Sequence, residues 1–357
     1  METATSTPSG HRVRLSHHEI ELDDGHRVGV SVGGRGVPLV FLHGLGLGRR
    51  TYLRMLSRVA GLGFLVVAID APGHGDTGDL PQAGAGFPDR ADVILRTLDA
   101  LGVDRAVLAG HSMGGRMAVQ IAALAPERVL ATLLFDAAAG APFDAAVQTV
   151  MRSPIQMLHT VAGALYDLSR DPLRMQVEAV GRYLQMLRVV LMGKIMAPNG
   201  FCGAAQALMA SGDSSSLLRT LRHRAVPTIV IHGADDAIIP FENACAVAED
   251  ADAVLYKVQN ACHSWLIAQP HRGAGAVRQL LGGELGHILR TAADTLNIVD
   301  WQDVSQWEDA MLGLNAPVTR LRNDDPIFHD TTCEVVEMER VRPGGLEPDE
   351  LAAGMTA

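Results

Sequence analysis

Cysteine is scarce: the 357 residues hold four, Cys202, Cys245, Cys262 and Cys333, without paired metal-ligand spacing. That is too few for a disulfide scaffold, so a reducing compartment, the cytoplasm, is expected and no metal site is. No apolar run reaches the ~18 residues that cross a bilayer, which argues against an integral membrane segment. The opening residues, Met1-Glu2-Thr3-Ala4 and those that follow, hold no apolar core of the signal-peptide kind, so secretion is not expected. A basic stripe is missing too, and with it the electrostatic footprint of nucleic-acid binding. No internal repeat or low-complexity tract is apparent.

What is present is the balance of a globular protein with a large core, 48% hydrophobic and 20% charged. The length suits one large α/β domain that carries an insertion or an extension. The net charge of −10 is unevenly placed. Residues 291–357 hold 14 acidic residues against four arginines, leaving 26 of each sign in the first 290. The body is therefore neutral and the extension acidic.

Strand-like and helix-like segments alternate, the pattern of a mostly parallel sheet with helices on both faces. Strands are expected at 12–22, 27–32, 38–42, 64–69, 106–109, 129–135, 227–231 and 253–258, the first two joined as a hairpin across Asp23-Asp24-Gly25. Helices are expected near 50–60, 87–101, 113–125, 241–249 and 271–290. The alternation breaks at 140–221, where the chain turns helical, apolar and rich in methionine, including Met151, Met157, Met175, Met186, Met192, Met196 and Met209. Inserted between two strands, such a segment reads as a lid, and flexible, polarisable methionines suit apolar ligands of varied shape. The extension after 290 is interrupted by Pro317, Pro326, Pro343 and Pro348 but holds Trp301 and Trp307. Large rings gain most from burial, so its part to about 340 is expected to pack on the body or on a second subunit, with the last stretch loose.

One segment carries chemistry. Ala106-Val107-Leu108-Ala109 is an apolar strand that runs through Gly110-His111-Ser112-Met113-Gly114 into a helix, marked by Met113, Ala118, Ile121, Ala122 and Ala125 at helical spacing. Glycines two before and two after a serine remove the side chains that would collide in a sharp strand-to-helix turn, so Ser112 is the candidate nucleophile. A serine hydroxyl needs a base to take its proton and a carboxylate to orient that base. Downstream, His232-Gly233-Ala234-Asp235-Asp236 follows the strand at 227–231, and Asn260-Ala261-Cys262-His263-Ser264-Trp265 follows the strand at 253–258. Sites in open α/β sheets gather at the carboxyl ends of strands, which would bring these groups together. The oxyanion formed on acyl attack needs two main-chain N–H donors. Met113, next after the serine, and Leu45, in the glycine-rich stretch Gly44-Leu45-Gly46-Leu47-Gly48, are the candidates.

These residues resemble the α/β-hydrolase superfamily over roughly 25–285. The marks are His43-Gly44, Asp70-Ala71-Pro72-Gly73-His74-Gly75, Gly110-His111-Ser112-Met113-Gly114-Gly115, Gly233-Ala234-Asp235-Asp236 with Pro240, and His263, in the family order. The resemblance implies an α/β fold in which a mostly parallel, eight-stranded twisted sheet is flanked by helices. The core would be 1–139 and 222–290, with a helical lid at 140–221 and an acidic extension at 291–357. It implies a triad of Ser112, His263 and Asp236, with Asp235 and Asp136 as other positions for the acid, and assigns His43, His74 and His111 to loop organisation. One departure stands out: Cys262 occupies the place before the histidine where the family has glycine.

A serine nucleophile argues against the dehalogenase and epoxide-hydrolase branches, which place aspartate there. The expected reaction is hydrolysis of a carboxylic ester, thioester or lactone of an apolar small molecule through an acyl-enzyme, without a cofactor. His43, Met151, Met157, Met186 and Trp265 are the candidate pocket residues. On the same triad the family admits carbon–carbon bond hydrolysis, acyl transfer and cofactor-free haloperoxidase or perhydrolase activity. The carbon–carbon branch would want a basic residue for a substrate carboxylate, from Arg116, Arg170, Arg174, Arg182 or Arg188. A binding protein that lost its chemistry would be expected to show a damaged triad, and this one is whole. The extension is the candidate contact for a homo-oligomer.

Overall fold

A computed structural model of the chain describes residues 12–80, 85–152, 198–313, 315–327 and 335–342. Its centre is a nine-stranded sheet built from β2 (Ser16–Glu21), β3 (Arg27–Gly33), β4 (Val37–Leu42), β5 (Phe64–Ile69), β6 (Ala106–His111), β7 (Val129–Phe135), β8 (Thr228–Gly233), β9 (Val254–Val258) and β11 (Met338–Val341). The order across the sheet is β11-β9-β8-β7-β6-β4-β5-β3-β2. The run from β5 to β9 is parallel, while β2, β3 and β11 are antiparallel to their neighbours. From β4 the chain steps to β5 on one side and then crosses to β6 on the other, so the loops after β4 and β6 part at the sheet's switch point. That crevice is where open α/β sheets receive ligands.

The central strands read as continuous apolar runs because both faces are covered. Val40, Leu42, Leu65, Val67, Leu108 and Leu134 pack to one side with helices α2 (Phe87–Leu101) and α3 (Met113–Leu124). Leu39, Phe41, Val66, Val107, Leu133 and Phe135 alternate with them and pack to the other, against α1 (Leu53–Ala60). Strand side chains change face at every residue, so one apolar string feeds two cores.

The eight expected strand positions are present, and the ninth strand comes from the acidic extension. β11 pairs antiparallel with β9, Met338 opposite Val258, covering what would otherwise be an open edge. The side chain of Gln279 ties it down, accepting from Val336 N at 2.8 Å and donating to Val336 O at 3.0 Å. Trp307 is 1% exposed and donates its indole N–H to Trp301 O at 2.7 Å. Glu308 pairs with Arg35 at 2.8 Å. The extension therefore folds back on its own body. The expected strand at 12–22 is split, because β1 (Arg12–Val13) leaves the main sheet to pair with β10 (Pro326–Ile327) of that extension. The expected helix at 271–290 is two helices, Pro270–Leu281 and Glu284–Thr295, parted at Gly282-Gly283. Glycine is a poor helix former, and two in succession end the first helix.

Between β7 and β8 lie α4 (Ala141–Arg152), α5 (Pro198–Met209) and α6 (Ser215–His223). Residues 153–197, which include Met157 and Met186, are outside the described residues, and Met151 is described only as part of the α4 backbone.

Candidate active site

Ser112 joins β6 to α3 with φ 55 and ψ −119, a region costly for a side-chain-bearing residue and tolerated only where the surroundings hold it. Here they do. Ser112 N–H donates to Phe135 O at 3.0 Å, and Ser112 O accepts from Gly115 N at 2.9 Å, Arg116 N at 3.2 Å and Ala138 N at 3.0 Å. The flanking glycines are demanded by space. A Cβ on Gly110 would lie 2.2 Å from Gly114 O, and one on Gly114 would lie 2.1 Å from Leu42 O. The second contact also shows how closely the start of α3 approaches the end of β4. Met113 is the first residue of α3, a position whose N–H has no acceptor inside the helix, and Leu45 follows two residues after the carbonyl of His43, 2.8 Å from that same Gly114 Cβ position.

The loop of Leu45 is shaped by two neutral histidines. His43 Nε2 accepts from Ala71 N at 2.9 Å, so its Nδ1–H donates to Gly44 O, also at 2.9 Å. His74 Nε2 accepts from Gly46 N at 3.1 Å. Burial lowers both rings, His74 to about 3, so neither carries charge at neutral pH. His43 is 1% exposed with both nitrogens engaged by main chain, so it organises the loop and presents no polar atom to a ligand.

His263 follows β9 and is brought to the acid loop that follows β8. Its Nδ1–H donates to Asp236 Oδ2 at 2.8 Å, while Asp236 Oδ1 accepts from Ile238 N and Ile239 N, each at 2.9 Å. Asp235 is exposed. Burial alone would raise the Asp236 carboxyl, but the charge and hydrogen bonds of His263 and His232 outweigh it and hold it well below the usual range. Burial likewise works against protonation of His263, and attraction to Asp236 overrides it, raising the imidazole above its ordinary value. His111 Nε2–H donates to His263 O at 2.8 Å, its ring 4.8 Å from that of His263, so the residue before the serine meets the residue proposed as base.

Behind the pair lie groups that sequence reading passed over or ranked low. Tyr52 Oη donates to His111 Nδ1 at 2.7 Å and accepts from Gly44 N at 3.3 Å. A tyrosine that ends the polar stretch Arg49-Arg50-Thr51 gives no local signal of a role at the site. Asp136 accepts from Gly233 N and from the indole N–H of Trp265, each at 2.8 Å. Trp265, expected in the pocket, is thus 1% exposed and part of the core beside Phe135. Asp136, His232 and Asp236 are close enough to hold a metal ion, and among the described residues no other such group occurs. Their carboxylates already accept from His263, Trp265 and the main chain, and His232 Nε2–H goes to Ile239 O at 2.7 Å; His232 Nδ1 has no hydrogen-bond partner among the described residues and stands 3.9 Å from Asp136 Oδ1. Arg116 does not reach the crevice either: it is buried, and its guanidinium donates to Asp144 Oδ1 at 3.2 Å and to Gly212 O at 3.0 Å. Arg170, Arg174, Arg182 and Arg188 fall outside the described residues.

Comparison with known proteins places the chain in a family. The family described as alpha/beta hydrolase fold matches residues 37–268. A relative from Mycobacterium phage D29, described as a putative non-heme haloperoxidase, is 40% identical over 269 residues, covering 74% of this chain and 94% of its own. Among solved structures, a thermophilic esterase from Thermogutta terrifontis with malate bound superposes with TM-score 0.60 at 24% identity, over 76% of this chain and 98% of its own. An enol-lactonase from Burkholderia xenovorans LB400 superposes with TM-score 0.59 at 19% identity, over 74% and 100%. At those identities the likeness speaks for the fold alone.

Proposed function

Because the chain belongs to the alpha/beta hydrolase fold family, we propose that it hydrolyses a carboxylic ester, thioester or lactone of an apolar small molecule through an acyl-enzyme on Ser112. The observation that carries this reading is the Asp236–His263 hydrogen bond of 2.8 Å, with His263 bonded to the residue before a serine held at φ 55 at the carboxyl end of β6. With Nδ1–H committed to Asp236, the lone pair of His263 Nε2 is the one free to take a proton. In this mechanism Ser112 Oγ attacks the carbonyl and passes its proton to His263. The N–H groups of Leu45 and Met113 receive the oxyanion, which can lower the barrier by about 3–4 kcal/mol per donor in sites of this kind. His263 returns the proton to the leaving alcohol, and water repeats the sequence to release the acid. The 140–221 insertion is the lid in this reading, and Met151, Met157 and Met186 are its candidate pocket residues.

Incubation with p-nitrophenyl butyrate and, separately, a fluorophosphonate probe tests the reading. Turnover and labelling at Ser112 are expected, both lost in Ser112→Ala. Folded protein that neither turns over nor labels would make it a non-catalytic binder. The phage relative supports a second reading on the same triad, in which hydrogen peroxide replaces water and the released peracid oxidises halide. Bromination of monochlorodimedone in the presence of acetate and peroxide, faster than ester hydrolysis under matched conditions, would favour it. The carbon–carbon branch loses Arg116 as a carboxylate partner, since that guanidinium is buried and bound elsewhere.

A further inference from the structure

Asp136 follows β7, fully buried, with its backbone at φ 45. Its two carboxylate oxygens look toward two different loops. Oδ1 accepts from Gly233 N at 2.8 Å, where β8 gives way to the loop of Asp236, and Oδ2 accepts from Trp265 Nε1 at 2.8 Å, two residues beyond His263. The same group stands 3.8 Å from His111 Nε2 and 3.9 Å from His232 Nδ1. Two N–H donors converging on one side chain require an acceptor at both ends. A carboxylate supplies that; an amide would turn its NH2 on one of the donors.

Resting on the triad reading above, we propose that Asp136 is a positioning residue for the reaction, holding the acid loop and the base loop in register and supplying a second buried negative charge behind His263. Among the described residues, the titratable groups that face His263 are Asp236, Asp136, His232 and His111. His111 is neutral at working pH, pushed down to about 3 by burial and by His263. His232 lies between the carboxylates, 3.4 Å from Asp236 and 3.9 Å from Asp136, and their attraction overcomes burial to raise it to about 9. Asp136 itself is raised by burial to about 6, so above that pH it is charged. Two carboxylates and one imidazolium leave a single negative charge in the buried group. The proton that His263 takes from Ser112 brings the group to neutrality, which a low-dielectric surrounding favours. Loss of the Asp136 charge makes His263 a weaker base.

Full-length protein, assayed for kcat and KM with p-nitrophenyl butyrate from about pH 5 to pH 9, decides the matter. In the parent protein, labelling of Ser112 with turnover comes first: its absence would refute the triad reading itself. In Asp136→Asn, kcat is expected to fall about tenfold or more with KM little changed. The acid limb moves to lower pH, because the imidazole now loses its proton more readily. A folded Asp136→Asn whose acid limb stays in place, with activity reduced only in proportion to folded protein, would overturn the proposal. Trp265→Phe keeps the charge and removes one arm of the clamp. It is expected to lower kcat more than it raises KM, with less displacement of the limb than Asp136→Asn. Parent-like kcat in Trp265→Phe overturns the positioning role even where Asp136→Asn fails to fold.

Discussion

His111 Nε2 donates its proton to the main-chain carbonyl of His263 at 2.8 Å, joining two residues 152 positions apart in sequence. A carbonyl only accepts, so Nε2 bears the hydrogen and Nδ1 is left to accept from Tyr52 Oη at 2.7 Å. The tyrosine in turn accepts from Gly44 N–H. One chain of hydrogen bonds thus runs from the loop of Leu45, through the residue before Ser112, to the backbone of His263.

Tyr52→Phe cuts that chain and strands two buried groups, His111 Nδ1 and Gly44 N–H. Leaving a buried polar group unpaired costs about 1–3 kcal/mol. Urea denaturation should register a loss of that order, together with reduced turnover. An unchanged midpoint would show that the chain contributes nothing to stability.

The two neighbouring aspartates should behave unequally. Asp236→Asn places an amide NH2 against the Nδ1–H of His263 and forces the other tautomer, an error worth about 10⁴-fold in kcat in serine triads. Asp235 is exposed and meets the base loop through its main chain, its N–H donating to Ala261 O at 3.0 Å, which Asp235→Asn preserves, so kcat should stay within about twofold. Steady-state kinetics on the two variants decides the assignment, and the opposite ranking would transfer the acid to Asp235.

Arg116 fastens both ends of the insertion to α3. It pairs with Asp144 on α4 and with the carbonyls of Ser211 and Gly212 after α5, while Asp144 Oδ2 accepts from Ser214 N at 2.6 Å. Arg116→Ala would leave the Asp144 charge buried without its cation, a change that costs about 3–5 kcal/mol. Chemical denaturation of Arg116→Ala, Asp144→Asn and the double variant should give non-additive losses. Additive ones would mean that the pair is not coupled.

Ending the chain at Ile327 removes β11 and opens the edge of β9. A bare edge strand offers unpaired N–H and C=O groups to any neighbouring chain. The truncated protein should scatter light and elute as larger species at concentrations where the full chain does not. A truncated protein as monodisperse as the full chain would mean that β11 has no protective role.

The sheet, the serine turn and the order of the motifs were legible because each depends on a short stretch. Continuous apolar runs such as 129–135 follow from burial on both faces, and the glycines at 110 and 114 answer a steric demand set within five residues. The family pattern prefers Asp236 to Asp235, and what the structure adds is a position: Asp236 is buried with Oδ2 at 2.8 Å from His263 Nδ1, while Asp235 is exposed. The bond from Trp265 to Asp136 is not legible locally, because an aromatic ring beside a candidate base looks the same in sequence whether it faces a cleft or a carboxylate. The ninth strand escaped notice for a similar reason: Met338–Val341 is short and mostly polar, with nothing local to mark it as a strand.

The sequence by itself determined where the backbone must turn sharply and which segments are buried, since these depend on side-chain volume and spacing along a few residues. Only the tertiary structure decided which groups meet: His111 with His263, Asp136 with both Gly233 and Trp265, Arg116 with the two ends of the insertion. Each of these contacts joins residues from 28 to 152 positions apart. A partner at that separation is chosen by the packing of strands and helices, which no local pattern records.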